Sequence, residues 1–188
     1  IIGFIFGFIM LRIIFRLSWD ATPRINSLFK RSQIVTALAL ALSHGANDAQ
    51  KTMGIITLAL VTGGYLTAFA VPTWVILLCA GMIALGTAVG GWKLIRTLGG
   101  KFYKIRPVDG LAAQLTSTVV ILGASLVGGP VSTTQVVSSG IMGVGAAERM
   151  NKVRWGVAQE IATAWLLTIP ATALVAAGVY WIVIQLIP

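Results

Sequence analysis

The sequence contains few charged residues for its length, and most of them are basic. Only 10% of the 188 residues are charged and 57% are hydrophobic, whereas about a quarter of the residues in a soluble domain are charged. Long stretches contain no charge at all and could not form a surface that faces water. The scarcity of charge excludes a soluble globular protein and predicts an all-α integral membrane protein, whose apolar runs are long enough for helical spans.

Cysteine and acidic residues are also scarce. Cys79 is the single cysteine, which excludes a disulfide framework, and its apolar surroundings are typical of a small buried side chain. Of the five acidic residues, only Asp48 is a convincing carboxylate inside an apolar segment. An enzyme would need a nucleophile with a positioned base or a carboxylate cluster for a metal. We therefore expect neither enzymatic activity nor a bound cofactor.

The basic residues are concentrated at the ends of apolar stretches. Thirteen of the fourteen lie within residues 12–31, 93–106 and 149–154. Such clusters follow the positive-inside rule, and lysine and arginine side chains there can reach the membrane interface. The position of these charges accounts for the net charge of +9. We expect a multi-pass protein of the plasma membrane in contact with lipid, and no binding of nucleic acid.

Hydrophobic stretches predict the membrane organisation. The predicted segments are spans at about 1–17, 32–61 (broken near 43–51), 71–92 and 155–187, with a hairpin at 108–147. Gly128-Gly129-Pro130 interrupts the last of these stretches and is a helix-stop signal. Because a hairpin that turns back keeps all three basic clusters on one side of the membrane, we predict that it is re-entrant. The chain is expected to start inside a membrane helix.

Two polar stretches interrupt apolar segments, at residues 43–51 and 132–135. Non-helical backbone at membrane depth is tolerated only where it lines a cavity or is buried in protein, so each stretch is a candidate site and the first predicts a discontinuous helix. Ser132, Thr133 and Thr134 could bind an oxyanion through their hydroxyls and the free N–H groups of a helix start. Alternatively, they only cap that helix.

The first polar stretch contains four side chains with different capacities. Asn47 can donate hydrogen bonds, and Asp48 can cap a half-helix or hold a cation. Lys51 could pair with Asp48 or meet a substrate. His44 could couple transport to protons, or it could simply cap a half-helix. His44 and Asp48 could also share a metal ion, although we expect Gly45 to break the helix between them.

The two stretches together resemble the motifs of the inorganic phosphate transporter (Pit) family. They read Ser43-His44-Gly45-Ala46-Asn47-Asp48 and Gly129-Pro130-Val131-Ser132-Thr133-Thr134, and they are similar to the C-terminal half of the bacterial low-affinity branch. The resemblance implies one of two inverted repeats, with an N-terminal repeat as partner and a homodimer left open. It also implies that Asn47, Asp48, Ser132, Thr133 and Thr134 contact phosphate or its co-ion.

Two departures from the family pattern concern the co-ion. Lys51 and Gln114 stand where sodium-coupled members offer a carbonyl ligand and a glutamate. Both changes disfavour a hard cation, and the resemblance therefore implies proton-coupled transport of phosphate or of a neutral metal–phosphate complex. The alternative function is a divalent metal-ion transporter that uses His44 and Asp48.

Overall fold

The computed structural model describes residues 1–22, 24–100 and 105–186. Every element in these ranges is a helix. The elements are α1 (Ile2–Leu17), α2 (Ile25–Thr62), α3 (Thr73–Gly100), α4 (Pro107–Leu126), α5 (Thr133–Glu148), a short 3-10 helix (Met150–Lys152) and α6 (Trp155–Leu186). Among the described residues, three stretches are long and apolar enough to cross a membrane: Thr73–Trp92, Pro107–Leu126 and Trp155–Gln185. The prediction of an all-α fold is confirmed for the described residues, and these three stretches have the length and composition of membrane spans.

The chain divides into two compact units, one from Ile1 to Val153 and the other from Arg154 to the end. In the first unit, α4 and α5 pack on each other and on α1, α2 packs along α4, and α3 packs on α2. The second unit is α6, which contains Pro170 within its length. All the candidate site residues lie in the first unit.

Helices α4 and α5 form a helical hairpin. The turn uses Gly128 in the left-handed region at a φ of 73°, which glycine adopts without strain. Gly129 N–H donates to Ala124 O at 2.9 Å and Gly128 N–H donates to Ser125 O at 3.1 Å, so α4 ends in a Schellman motif. The helical hairpin predicted at 108–147 is present. It extends from Pro107 at the start of α4 to Glu148 at the end of α5.

The base of the hairpin is held together by charge. Arg106 donates to both carboxylate oxygens of Asp109, at 3.2 Å and 3.1 Å, and it also pairs with Glu148 at the end of α5. Asp109 is only 1% exposed, so its charge depends on this partner. The start of α4 and the end of α5 are thereby joined, and the two helices are antiparallel.

Glycine allows α1 to approach α5 backbone to backbone. A Cβ atom at Gly7 would collide with Gly140 O, and one at Gly143 would collide with Phe4 O. Membrane helices use small residues for such close packing, because lipid offers no hydrophobic drive for helix association. The hairpin is therefore anchored on α1, with its turn directed at α2.

Three predictions about the helices need correction, and the first concerns the continuity of α2. The predicted break near residues 43–51 is wrong, since α2 is one helix of 38 residues. Asn47, Asp48 and Lys51 in this stretch bond to each other and to the hairpin turn, so the backbone need not unwind. Gly45 inside the helix costs only about 1 kcal/mol relative to alanine. No discontinuous helix is present in the described ranges.

The other two corrections concern the start of the predicted span at 32–61 and the end of the predicted span at 71–92, where basic segments adjoin them. Helix α2 begins at Ile25, seven residues before the predicted start, because no helix-breaking residue follows Pro23 in the sequence until Gly45. The α3 backbone continues past Trp92 to Gly100. A basic segment can remain helical where it leaves the apolar layer, since lysine and arginine are good helix formers.

Candidate functional site

The turn of the hairpin meets the middle of α2 at Asn47. The Asn47 side chain is 2% exposed and its Nδ2 donates to Val131 O at 2.9 Å. In return, Val131 N–H donates to Asn47 Oδ1 at 3.4 Å. One carboxamide thus pairs with both backbone groups of a turn residue and fixes the turn against α2.

Asp48 is the centre of a polar cluster beside this contact. Its Oδ2 lies 3.1 Å from His44 Nε2 and accepts a hydrogen bond from Thr133 Oγ1 at 3.3 Å. Its Oδ1 accepts from Lys51 Nζ at 3.0 Å and from Asn47 Nδ2 at 3.1 Å. We call these five residues the Asp48 cluster. The continuous helix places His44 one turn before Asp48, so the expected break between them at Gly45 is absent.

Lys51 bridges α2 and the hairpin. Its ammonium lies 3.0 Å from Asp48 Oδ1 and donates to Val131 O at 2.6 Å. Carboxylate and carbonyl oxygens are the atoms that hard cations prefer as ligands. The ammonium therefore occupies a position in which a monovalent metal cation could be bound. It pairs with Asp48, and its exposed part could still meet a substrate.

The three hydroxyl residues of the turn differ in their contacts. Thr133 is 4% exposed and reaches Asp48, whereas Ser132 and Thr134 have exposed side chains. Ser132 Oγ accepts a hydrogen bond from Gln135 N–H at 3.4 Å, which is the capping geometry of a helix start. The structure thus brings Thr133 into the Asp48 cluster and gives Ser132 a helix cap.

Gln114 lies away from these contacts, on the face of α4 that packs on α2. Its Oε1 accepts a hydrogen bond from Thr36 on α2. Gln114 and His44 line the same cavity of about 1000 Å³, whose other lining residues on α2 and α3 are mostly apolar. Gln114 therefore shares a cavity with one member of the Asp48 cluster.

A second cavity, of about 320 Å³, lies between α2 and the hairpin turn. Asn47 and Lys51 line it together with Gln50 and Ser125. Members of the Asp48 cluster therefore border two cavities, His44 on one side and Asn47 and Lys51 on the other.

A metal site receives little support from this geometry. Within the part of the chain that the structure describes, no group of three or more histidine, cysteine, aspartate or glutamate side chains could hold a metal ion. His44 and Asp48 form a pair only, and their contact with each other leaves fewer atoms free for a shared metal.

Sequence reasoning missed several polar residues of the hairpin. Asp109 was not considered as a buried carboxylate, although an acidic residue in the first turn after Pro107 is a helix-start signal that could have drawn attention to it. The hydroxyls of Thr116, Ser117 and Ser138 are buried without a hydrogen-bond partner among the described residues. Their positions depend on how the helices cross, for which the sequence offered no signal.

Comparisons with known proteins agree with this architecture. The phosphate transporter family matches residues 1–176. A protein of Bacillus subtilis described as "Probable low-affinity inorganic phosphate transporter" is 47% identical over 97% of this chain and 55% of its own length. A Rhizobium meliloti protein with the same description is 43% identical over 96% of this chain and 54% of its own length.

A solved structure titled "The sodium-dependent phosphate transporter" is similar with a TM-score of 0.77 and 34% identity, over 87% of this chain and 42% of that one. The chain thus spans about half the length of the relatives that it matches. The family and these relatives are named as transporters, in agreement with the sequence-based exclusion of an enzyme. With residues 1–176 matched, the chain belongs to the phosphate transporter family.

Proposed function

We propose that this chain forms part of a secondary transporter that moves inorganic phosphate across the plasma membrane. The observation that carries the proposal is the contact between the hairpin turn and the Asp48 cluster, where Thr133 and Val131 meet Asp48, Asn47 and Lys51. Transporters of this kind place substrate sites near the bilayer midplane, where helix starts meet polar side chains of other helices. No covalent step is required for such transport.

The architecture that we propose has two inverted repeats, of which this chain supplies one. The N-terminal repeat of the same transporter would complete the site with an equivalent set of residues, because the chain spans about half the length of its relatives. The hairpin of α4 and α5 would be re-entrant, with a multi-pass arrangement in the plasma membrane. At the base of the hairpin, Arg106 forms ion pairs with Asp109 and Glu148, and such charged groups would face the headgroup region. A homodimer of the whole transporter is one further assembly to test.

Phosphate binding would use donors from both sides of the contact. Thr133, Ser132 and Thr134 contribute hydroxyls at the start of α5, where N–H groups are not used inside the helix. Asn47 donates from its amide. Asp48 contacts either the phosphate or the positively charged co-ion. Hydroxyl and amide donors hold an oxyanion without a strongly attractive fixed charge, so that release remains fast.

Proton coupling is favoured over sodium coupling by the position of Lys51. A sodium ion bound by Asp48 and Val131 O would have to displace the Lys51 ammonium, which contacts both oxygens. At a separation of about 4 Å the two like charges would still repel by about 4 kcal/mol before screening by water reduces it. Lys51 thus supplies a charge that a bound cation would otherwise bring. His44, in contact with Asp48, is the side chain suited to carry the proton. A neutral metal–phosphate complex is an alternative form of the substrate.

The proposal is tested by uptake of radiolabelled phosphate into proteoliposomes that contain the intact transporter. Thr133→Ala removes the hydroxyl that donates to Asp48, and we expect at least a tenfold loss of uptake with normal insertion into the membrane, since a lost hydrogen bond to a charged group costs about 1.5–3 kcal/mol. Thr62→Ala is the matched control, because Thr62 donates to Leu58 O and Ala59 O of its own helix. Normal uptake by Thr133→Ala, or uptake of divalent cations without phosphate, would contradict the proposal.

A further inference from the structure

The cavity between α2 and the hairpin turn contains two polar residues outside the Asp48 cluster, Gln50 and Ser125, beside Asn47 and Lys51 of that cluster. Its lining includes Gln50, Lys51 and Ser125, and its volume is about 320 Å³. We propose that this cavity is a second oxyanion subsite, in which Gln50, Lys51 and Ser125 bind inorganic phosphate before or after it reaches the Asp48 cluster. This inference rests on the proposed function and adds a place on the substrate's route.

The charge of the cavity favours an anion. Lys51 is the charged residue among the lining side chains, and Asp48 does not belong to that lining. A phosphate ion in this cavity would meet the Lys51 ammonium, which also offsets the charge of the Asp48 carboxylate 3.0 Å away from it. The Lys51 side chain is 35% exposed, so its ammonium can turn from Val131 O toward an anion in the cavity.

Ser125 provides a hydroxyl that has no present use. Its Oγ is buried and makes no hydrogen bond within the described part of the chain. Several serine and threonine side chains in these helices donate to a carbonyl of the preceding turn, as Ser43 does to Ala39 O at 2.6 Å and Thr168 does to Ala164 O at 2.8 Å. Among the described residues Ser125 has no such bond and, unlike the other hydroxyls without a partner, it borders this cavity. A buried hydroxyl without a partner is costly, and a bound oxyanion would satisfy it.

Gln50 and the glycines of the turn complete the chemistry. Gln50 lies three residues after Asn47 and therefore on the same face of α2, with an amide that has two donor hydrogens. Gly128 and Gly129 line the opposite wall and bring no side chain into the space. The cavity has room for several water-sized groups and hence for a tetrahedral oxyanion with part of its hydration.

The inference is tested by protection of engineered cysteines in the intact transporter, in a background without other cysteines. Gln50→Cys and Ser125→Cys are treated with a water-soluble thiosulfonate reagent in the presence of inorganic phosphate or of chloride. We expect phosphate, at concentrations that saturate uptake, to slow modification at both positions by at least threefold. Thr52→Cys is the matched control, because Thr52 is exposed on the same helix and does not line the cavity.

Unchanged modification of Gln50→Cys in phosphate would overturn the subsite, as would equal slowing by chloride or equal slowing at Thr52→Cys. Gln50 is exposed, so this variant keeps the test valid if Ser125→Cys does not fold. Radiolabelled phosphate uptake is measured on the same preparations. Normal uptake without protection contradicts the subsite alone, whereas an absence of phosphate uptake by the unmodified transporter contradicts the proposed function.

Discussion

Replacing Asn47 with alanine is expected to release the hairpin turn from α2. The substitution removes two hydrogen bonds to the Val131 backbone and one to Asp48, while Lys51 still holds Val131 O. Each neutral hydrogen bond contributes about 1 kcal/mol net, so the two bonds to Val131 together contribute about 2 kcal/mol. We therefore expect the detached state of the turn to become about 30-fold more populated.

Hydrogen exchange of the intact transporter, followed by mass spectrometry, measures this population directly. The Val131 amide should exchange about 30-fold faster in Asn47→Ala, because its protection depends on the opening of its bond to Asn47 Oδ1. Peptides from α1, which lies on the other side of the hairpin, should keep their exchange rates. Exchange in the turn that rises by less than threefold would refute the assignment of Asn47 as the residue that fixes it.

Asn47→Asp separates hydrogen bonding from packing. Aspartate has nearly the same shape as asparagine and can still accept from Val131 N–H. However, it loses the donor to Val131 O and places a second carboxylate beside Asp48. The hydrogen-bond account predicts that Asn47→Asp frees the turn at least as much as Asn47→Ala does. A variant with near-normal exchange would instead indicate that only the volume of the side chain matters.

Two further pairs of variants test how the hairpin is anchored. Gly143→Ala should lower the stability of the intact protein by about 1–3 kcal/mol through overpacking, because its Cβ would collide with the α1 backbone. Gly81→Ala, whose Cβ meets open space, should not lower the melting temperature. Arg106→Gln should cost about 1–3 kcal/mol, since the buried Asp109 carboxylate loses its guanidinium partner and keeps the backbone N–H of residue 106. Adding Asp109→Asn to Arg106→Gln should restore part of the loss, and thermal unfolding in detergent measures all four.

The hairpin could be predicted because its signal is local. Gly128, Gly129 and Pro130 end one helix and leave room for the next to begin, and the Schellman motif at the end of α4 uses those glycines as expected. The basic clusters added the constraint of which side each end faces. Both signals depend on residues close together in the sequence, so no knowledge of helix packing was needed.

The continuity of α2 could not be predicted in the same way. Its polar residues suggested an interruption, since polar groups at membrane depth must be satisfied. They are satisfied by partners 80 to 85 residues away, as in the contacts of Lys51 with Val131 and of Asp48 with Thr133. Only the packing of the hairpin against α2 supplies those partners, and the sequence does not encode it as a pattern.

The candidate residues were found from the sequence, but their pairing was not. Asn47, Asp48 and Thr133 meet at one place, whereas Ser132 caps α5 and Gln114 bonds to Thr36. A run of three hydroxyl residues cannot all point one way from the start of a helix, because successive side chains are separated by about a quarter of a turn. The sequence therefore indicated the polar segment without the direction of each side chain.

The most direct test of the account is radiolabelled phosphate uptake by the intact transporter in proteoliposomes, under an imposed pH gradient or an imposed sodium gradient, each with and without divalent metal. We expect accumulation under the pH gradient, none under the sodium gradient alone, and a sodium response in Lys51→Asn, where Asp48 and Val131 O are left without the ammonium. Sodium-driven accumulation by the unmodified transporter after the pH gradient is collapsed would contradict the role of Lys51 as the cation of the site.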